Sequence, residues 1–254
     1  MNLATERDLY ASGAATLLAS WEEYARGSPG ASLVRSVGVS RSAVFPSDPE
    51  RAVYNNALLD RGLGPAERAL ALAAMEEAYR IAGVDRYAAW VHESDEAMRA
   101  ELAARGYRLD ETTLAMGRSL EEISLARPEI ELEPLDWRGY VAYLSKWGVP
   151  GGLLSGVNPD AFHVLAARLE REVVAAAIAF DHEGDCGIFN MTTFEWARRR
   201  GLATALTAAH LHKAADRGCS TASVQSTPIA EGVYRSVGFR DLGRFLEYVP
   251  EGAR

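Results

Sequence analysis

The segment "ARRRGLATAL" (Ala197–Leu206) places three consecutive arginines directly before the expected start of a helix. A helix N-terminus carries roughly half a positive charge and four unpaired N–H groups, so each cation there is unfavourable by about 0.3–1 kcal/mol. The small residues Gly201 and Ala203 would let a bulky anion approach the backbone N–H groups of the first turn. The segment therefore predicts a phosphate site with arginines beside the anion. The alternative is an arginine cluster that simply extends into solvent.

The composition is that of a folded protein without an excess of basic residues. Of 254 residues, 48% are hydrophobic, and 35 Asp and Glu outnumber 27 Lys and Arg, for a net charge of −8. This balance argues against a protein that coats nucleic acid or an anionic membrane. The longest apolar run, Val173–Phe180, is too short to span a bilayer. The first 25 residues lack a basic leader, so we expect a cytoplasmic protein.

Cysteine usage indicates neither a disulfide framework nor a zinc site. The chain has only Cys186 and Cys219 and no CxxC pair. His210 and His212 are two residues apart, so on a helix they would point in different directions and make no metal pair. We therefore expect no metal.

Hydrophobic periodicity and turn residues predict alternating helices and strands. The predicted helices are 5–26, 65–81, 94–106, 137–148, 199–217 and 228–238, and the predicted strands are 32–45, 86–91, 107–117, 129–135, 161–170, 172–182, 186–194, 221–226 and 239–249. Ser94 is the expected N-cap of the third helix, and Thr227 followed by Pro228 is the expected start of the last one.

A faint internal repeat divides the chain into two α/β halves. The interval from Ser94 to Gly106 equals that from Ser226 to Gly238, and the two copies end in "GYR" and "GFR". The strand–helix–strand order around each copy also matches. The acidic segment 119–136, which contains two prolines, is the expected boundary, so we predict domains at 1–123 and 124–254.

Two motifs together resemble the GCN5-related N-acetyltransferases (GNAT). The spacing Arg198-x-x-Gly201-x-Ala203 is similar to the family's (Gln/Arg)-x-x-Gly-x-(Gly/Ala) signature, and "VYRSVGF" (Val233–Phe239) is similar to its second hallmark, a helix with Leu-Tyr that ends in Gly-Phe. The resemblance covers about residues 129–250. It implies two GNAT-like domains, each a mixed, mostly antiparallel twisted sheet flanked by helices.

The resemblance also implies a site for acetyl-CoA. The phosphate loop would hold its pyrophosphate, the strand before the loop would leave its backbone free for the pantetheine arm, and Tyr234 would be the general acid that protonates the departing thiolate. An alternative for Tyr234 is packing under the sheet. Thr227 stands where many members have Asn, and the alternative for it is the N-cap of the last helix. The implied cofactor-binding residues are Met191, Thr192, Thr193, Arg198, Arg199, Arg200, Gly201, Leu202, Ala203, Thr204 and Thr227.

The general base stays open. Glu195, between the strand and the loop, is the candidate we carry forward, and the alternative for it is a structural or solvent-exposed role. The same holds for the other titratable residues near the predicted site, which are His163, His182, Asp185 and Glu231. A water-bridged base, as many relatives use, is a further alternative.

The N-terminal half carries neither motif. Leu102 falls at the position of Tyr234, and its long helix begins with "GPAERAL" in place of the phosphate loop. We expect a degenerate GNAT-like copy with a structural or substrate-shaping role; an unrelated α/β domain is the alternative.

The resemblance implies an acetyl-CoA-dependent N-acetyltransferase in which an amine attacks the thioester directly. The acceptor, a small-molecule amine or a peptide, is not identified: aminoglycoside-like, polyamine, amino-acid and protein N-terminal acceptors all remain open. No nucleic-acid or membrane partner is expected, and a homodimer is left open. The alternative function is a non-catalytic acyl-CoA sensor or an interaction module.

Overall fold

The computed structural model describes residues 5–47, 54–121, 123, 125, 126, 130–148, 154 and 156–252. Its helices in these ranges are α1 (Glu6–Arg26), α2 (Pro65–Ala82), α3 (Glu96–Ala104), α4 (Trp137–Ser145), α5 (Leu202–Asp216) and α6 (Glu231–Ser236). Its strands are β1 (Ser32–Ser36), β2 (Val39–Val44), β3 (Asn56–Leu59), β4 (Ala88–His92), β5 (Tyr107–Ser119), β6 (Leu132–Pro134), β7 (Phe162–Leu169), β8 (Glu172–His182), β9 (Asp185–Thr193), β10 (Thr221–Ser226) and β11 (Arg240–Pro250). No helix in the described part of the chain is long and apolar enough to cross a membrane.

The fold is α/β, with a mixed sheet and flanking helices. The hydrogen-bonded strand order is β1-β2-β3-β4-β11-β5-β10-β9-β8-β7-β6 in a single sheet. β3 pairs with β4, and β9 with β10, in parallel. The expectation of a separate sheet in each half is therefore wrong. The domain limits at 1–123 and 124–254 stay a prediction.

The chain divides into two compact units, each assembled from separate stretches of sequence. Unit one comprises residues 1–20, 114–151 and 158–242. Its strands follow the order β5-β10-β9-β8-β7-β6, and α5 packs against β7, β8 and β9. Val174–Ala179 of β8 are fully buried, as an unbroken apolar run predicts for a strand covered on both faces. Leu202 and Leu206 of α5 join the same core.

Unit two comprises residues 21–113, 152–157 and 243–254. Its strands are β1-β2-β3-β4 followed by β11, whose residues Phe245–Tyr248 pair antiparallel with β4. α2 packs against β1 and β2. Its fully buried Tyr79 stacks on Tyr87 with ring centroids 4.1 Å apart and donates a hydrogen bond to the carbonyl oxygen of Ala43.

Most predicted elements are confirmed, and the exceptions have local causes. The predicted strand 32–45 is a hairpin of β1 and β2, because Gly38 adopts a left-handed φ of 74° at the turn. β3 was not predicted from the sequence. The N-cap of α3 is Asp95, whose Oδ1 accepts the N–H of Met98 at 3.0 Å, and not Ser94.

Two helices begin later than predicted. α5 begins at Leu202, so the arginines precede the helix and do not form its first turn. α6 begins at Glu231, after a turn that contains Pro228.

Candidate functional site

In unit one, β9 and β10 separate soon after they begin. Their parallel ladder contains three residue pairs, Asp185–Gly187 of β9 with Thr221–Ser223 of β10. The other edge of β9 stays paired with β8 as far as Thr193. Between the ladder and the end of β9, one edge of the strand is therefore not paired with β10, as the resemblance implied. This edge includes the predicted pantetheine-binding residues Met191, Thr192 and Thr193, all of them half-buried.

A bulge bends β9 within this unpaired stretch. Phe189 pairs with Ile178 and Thr192 with Ala176, so β9 contains one residue more than β8 between these pairs. Asn190 in the bulge has a left-handed φ of 50°. Bulges bend a strand and redirect its side chains, and they are frequent beside active sites.

Asp185 holds the closed end of the β9–β10 pair. Its carboxylate accepts hydrogen bonds from Thr221 Oγ1 at 2.7 Å and Ser223 Oγ at 2.6 Å. Burial raises the pKa of this carboxyl, and these hydrogen bonds partly oppose the shift. Asp185 is thus engaged in the strand pairing, which is the structural role that the sequence left open for it.

The predicted phosphate loop lies between β9 and α5. A 3₁₀ turn at Glu195–Ala197 is followed by Arg198 in extended conformation, and by Arg199 and Gly201 with left-handed φ values of 63° and 77°. A left-handed conformation at Arg199 costs about 1–2 kcal/mol. Such alternation of backbone conformations in a turn points successive N–H groups into a concavity that favours anions.

The N-terminus of α5 has no cap from the chain. Gly201 is its N-cap and supplies no side chain, and the first intrahelical hydrogen bond runs from Ala205 N–H to the Gly201 carbonyl. The backbone N–H groups of Arg199–Thr204 donate no hydrogen bond to any residue that the structure describes. Leu202, Ala203 and Thr204 therefore present free donors at the positive end of the helix dipole.

The three arginines beside these donors are exposed. Arg198 turns back to donate from Nε to the carbonyl oxygen of Thr193 at 3.3 Å, whereas Arg199 and Arg200 form no ion pair with any described carboxylate. An added Cβ at Gly201 would meet only Ile130 Cδ1 at 3.8 Å, so glycine is needed there for its φ and leaves open space in front of the N–H groups. A phosphate group fits this combination of donors, space and charge.

Tyr234 lies on α6, which contacts α5. Its ring is 3% exposed and packs edge-on against Phe239, with ring centroids 5.7 Å apart. Burial raises the pKa of Tyr234 to about 12. The hydroxyl has no hydrogen-bond partner among the described residues. It is not completely buried, so it retains some contact with solvent. A protonated phenol that is not fully enclosed suits a proton donor.

The other candidate residues named from the sequence are exposed or paired with neighbouring side chains. Glu195 is exposed at the first position of the 3₁₀ turn. Thr227 is exposed in the turn before α6, and its expected role as the helix cap is wrong because the N-cap is Ala230. Glu231 accepts from Arg235 Nη2 at 3.0 Å, and His163 Nε2 lies 3.5 Å from Asp181 Oδ2.

Sequence reasoning missed an aromatic group beside the free edge of β9. Tyr143 of α4 donates to the Thr192 carbonyl at 3.4 Å and accepts from Thr192 Oγ1 at 3.0 Å. Trp147 stacks on Phe194 with ring centroids 5.1 Å apart, and Tyr143 packs edge-on against Phe194 at 5.5 Å. The spacing of Tyr143 and Trp147 by one helical turn was visible in the sequence, but nothing in it related them to β9.

In unit two, the segment that corresponds to the phosphate loop is the N-terminus of α2, and a side chain of the protein itself binds there. At the N-terminus of α2, Glu67 Oε2 accepts the N–H of Gly64 at 2.7 Å. A carboxylate of the protein thus lies where an anion would bind. Leu102, at the position that corresponds to Tyr234, is fully buried in the core. Across the described ranges, no group of three or more His, Cys, Asp or Glu side chains could hold a metal ion.

Comparison with known proteins supports the fold. Residues 156–248 match the family model of the acetyltransferase (GNAT) domain. A GCN5-related N-acetyltransferase from Kribbella flavida is similar in structure, with a TM-score of 0.71, 17% identity, and coverage of 96% of this chain and 94% of that chain. One from Sphaerobacter thermophilus has a TM-score of 0.60 and 16% identity, with coverage of 97% and 93%.

A tandem GNAT protein from the clavulanic acid biosynthesis pathway, solved without acetyl-CoA, is also similar. Its TM-score is 0.59 at 14% identity, with 94% of this chain and 95% of that chain covered. No curated protein is significantly similar in sequence. At these identities the likeness shows a GNAT fold, and the segment that matches the family model contains β9, the arginine loop, α5 and Tyr234.

Proposed function

We propose that the chain is an N-acetyltransferase that uses acetyl-CoA to acetylate a primary amine. The observation that carries the proposal is the coincidence of two features in unit one. One edge of β9 is open beside β10, and this strand leads directly into an uncapped helix that begins at a left-handed glycine behind three arginines. Both features lie within the segment that matches the acetyltransferase domain model.

Each part of the site has a defined task in this proposal. The N–H groups of Arg199–Thr204 would hold the pyrophosphate, with Arg198–Arg200 beside it, and the backbone of Met191–Thr193 would align the pantetheine arm. When bound, acetyl-CoA supplies an acetyl group on a thioester. Tyr234, held protonated by its burial, would donate a proton to the leaving thiolate. Glu195 remains the proposed base, directly or through water.

Unit two would have a structural or substrate-shaping role and would not bind a second acetyl-CoA. The proposal of a degenerate copy is supported by the Glu67 carboxylate at the α2 N-terminus and by Leu102 in place of an acid. The acceptor amine is to be found by experiment.

Calorimetric titration with acetyl-CoA tests the loop assignment. Gly201→Val places a branched side chain at a left-handed φ in front of the free N–H groups, so binding should weaken at least about tenfold, which is 1.4 kcal/mol. Gly218→Val is the matched control, because Gly218 follows the other end of α5 with a φ of 94° and open space around it. It should cost similar stability and leave acetyl-CoA binding unchanged.

Two results would contradict the proposal. If the wild-type chain does not bind acetyl-CoA, or if both glycine variants bind it alike, the loop is not the cofactor site. If acetyl-CoA binds but no amine among polyamines, aminoglycosides, amino acids and peptides raises CoA release above the rate without acceptor, the chain is a binding protein and not a transferase.

A further inference from the structure

Side-chain amines are scarce in this chain. Of its 27 Lys and Arg residues only two, Lys146 and Lys213, are lysines. Arginine stays protonated at neutral pH and is not a nucleophile under these conditions, whereas a lysine amine is one once it loses its proton. A protein that binds a reactive thioester therefore offers only two side-chain amines of its own as acceptors.

Lys146 lies beside the proposed cofactor strand. Its Nζ is 5.7 Å from the ring centre of Phe194, the residue that follows Thr193 at the end of β9. The preceding turn of α4 is tied to the same strand, because Tyr143 is hydrogen-bonded to Thr192. Met191 is three residues before Phe194, roughly 10 Å along the strand. The ammonium group thus lies beside the end of the strand that would carry the acyl arm.

A proton acceptor and space for movement accompany this amine. Nζ is 3.0 Å from Glu172 Oε1, and half of the Lys146 side chain is exposed. A cavity of about 470 Å³ is bordered by Tyr143, Lys146 and Glu172. The long side chain can therefore change rotamer without displacing packed neighbours, and the carboxylate in contact can take up the ammonium proton.

Lys213 provides an internal comparison. It is exposed on α5, eleven residues after Leu202, which places it roughly 16 Å along the helix from the phosphate loop. It lies at a separate groove with His163 and Arg217. Because both lysines are accessible, acetylation in free solution would modify both, whereas transfer from a cofactor bound at β9 would select Lys146.

We propose that Lys146 is a self-acetylation site of this protein, which rests on the proposed function because acetyl-CoA is the donor. The ammonium gives one proton to Glu172, and the neutral Nζ attacks the thioester carbonyl carbon. The C–N bond forms, the C–S bond breaks, the nitrogen loses its second proton, and the thiolate leaves and is protonated. The balance is one lysine ammonium and one acetyl-CoA converted into one acetyl-lysine, one CoA and one proton.

Acetylation removes the positive charge of Lys146. The product amide cannot form the ion pair with Glu172 or the cation–π contact with Phe194. Glu172, which lines the same cavity, then loses its partner, and the modified side chain would remain at the cavity wall with Tyr143. The modification would therefore change both the charge and the shape of the surface beside β9.

Mass spectrometry of the purified full chain with acetyl-CoA tests the proposal. The mass of one acetyl group should be added per chain, peptide mapping should place it on Lys146, and Lys146 should react at least about tenfold faster than Lys213 because the donor is held nearby. Lys146→Arg should leave only the slow modification of Lys213, while Lys213→Arg, the matched control, should leave the rate at Lys146 unchanged. Acetyl phosphate, which lacks the CoA moiety, should modify both lysines without this preference.

The outcomes separate this proposal from the proposed function. If calorimetry shows that acetyl-CoA binds but Lys146 is unmodified, or is modified no faster than Lys213, self-acetylation is wrong and the transferase proposal stands. If acetyl-CoA does not bind and amines do not raise CoA release, both proposals are wrong. Equal modification by acetyl-CoA and acetyl phosphate would show solution chemistry and would also overturn self-acetylation.

Discussion

Tyr234→Phe separates the chemical role of the tyrosine from its packing. The substitution removes one hydroxyl that has no hydrogen-bond partner among the described residues, and it keeps the ring that packs on Phe239. Because no hydrogen bond is lost, the free energy of unfolding should change by less than about 1 kcal/mol. The loss of proton donation to the leaving group should lower kcat by about 10²–10⁴-fold.

The pH dependence sharpens this prediction. Burial raises the pKa of Tyr234 to about 12, so the phenol keeps its proton throughout the range from pH 6 to pH 10. Deprotonation of Tyr234 should therefore cause no fall in the wild-type kcat between pH 6 and pH 10. Tyr79→Phe is the control, because it should change the stability and not kcat. Its hydroxyl donates to the Ala43 carbonyl at 3.1 Å, so it should cost about 1 kcal/mol of stability and leave kcat unchanged.

The assay is CoA release with the acceptor found in the amine panel, together with calorimetry for acetyl-CoA. A kcat of Tyr234→Phe within about twofold of the wild type would show that Tyr234 is structural. An acetyl-CoA affinity that falls in parallel with kcat would show that the hydroxyl contributes to cofactor binding and not specifically to proton transfer.

Three further outcomes follow from the structure. Calorimetry should saturate at one acetyl-CoA per chain, because Glu67 already lies at the N-terminus of α2, and two equivalent sites would contradict the degenerate copy. His210 is fully buried and its pKa is lowered to about 3, so its stabilising contribution is complete above about pH 6.5 and falls by up to about 1.4 kcal/mol per unit as the pH drops from there towards 3. His210→Gln should flatten this acid limb in urea titrations, and an unchanged slope would refute its assignment to His210. Asp95→Ala should lower stability by about 0.5–2 kcal/mol through loss of the α3 cap, whereas Ser94→Ala should not match it.

The sequence predicted the elements whose signals are local. The bounds of α2 follow from Pro65 and from Gly83, which ends the helix with a left-handed φ of 67°. The loop between β9 and α5 could be predicted because Gly201 and Ala203 are typical of a strand-to-helix turn, whereas the binding of an anion there stays a prediction. The choice of Asp95 over Ser94 could not, because the two adjacent residues are equally good caps in sequence and only the backbone path decides which carboxyl or hydroxyl reaches Met98.

Features that depend on distant residues were not predicted. The bulge at Asn190 is defined by the register of β9 against β8, which no window of one strand contains. The contact of Tyr143 with Thr192 joins residues 49 positions apart. The single sheet order arises because β11, predicted as a strand of the second half, pairs with β4.

The pairing of β11 with β4 has a consequence for synthesis on the ribosome. Glu93, next to β4, accepts the backbone N–H of Arg244, 151 residues later. The edge of β4 that pairs with Phe245–Tyr248 stays unpaired until almost the whole chain has been translated. Until then a row of unpaired backbone groups on an apolar strand is open to wrong partners. A nascent chain halted before residue 243 should therefore depend on chaperones, and a gene fragment that encodes only residues 1–123 should yield insoluble protein.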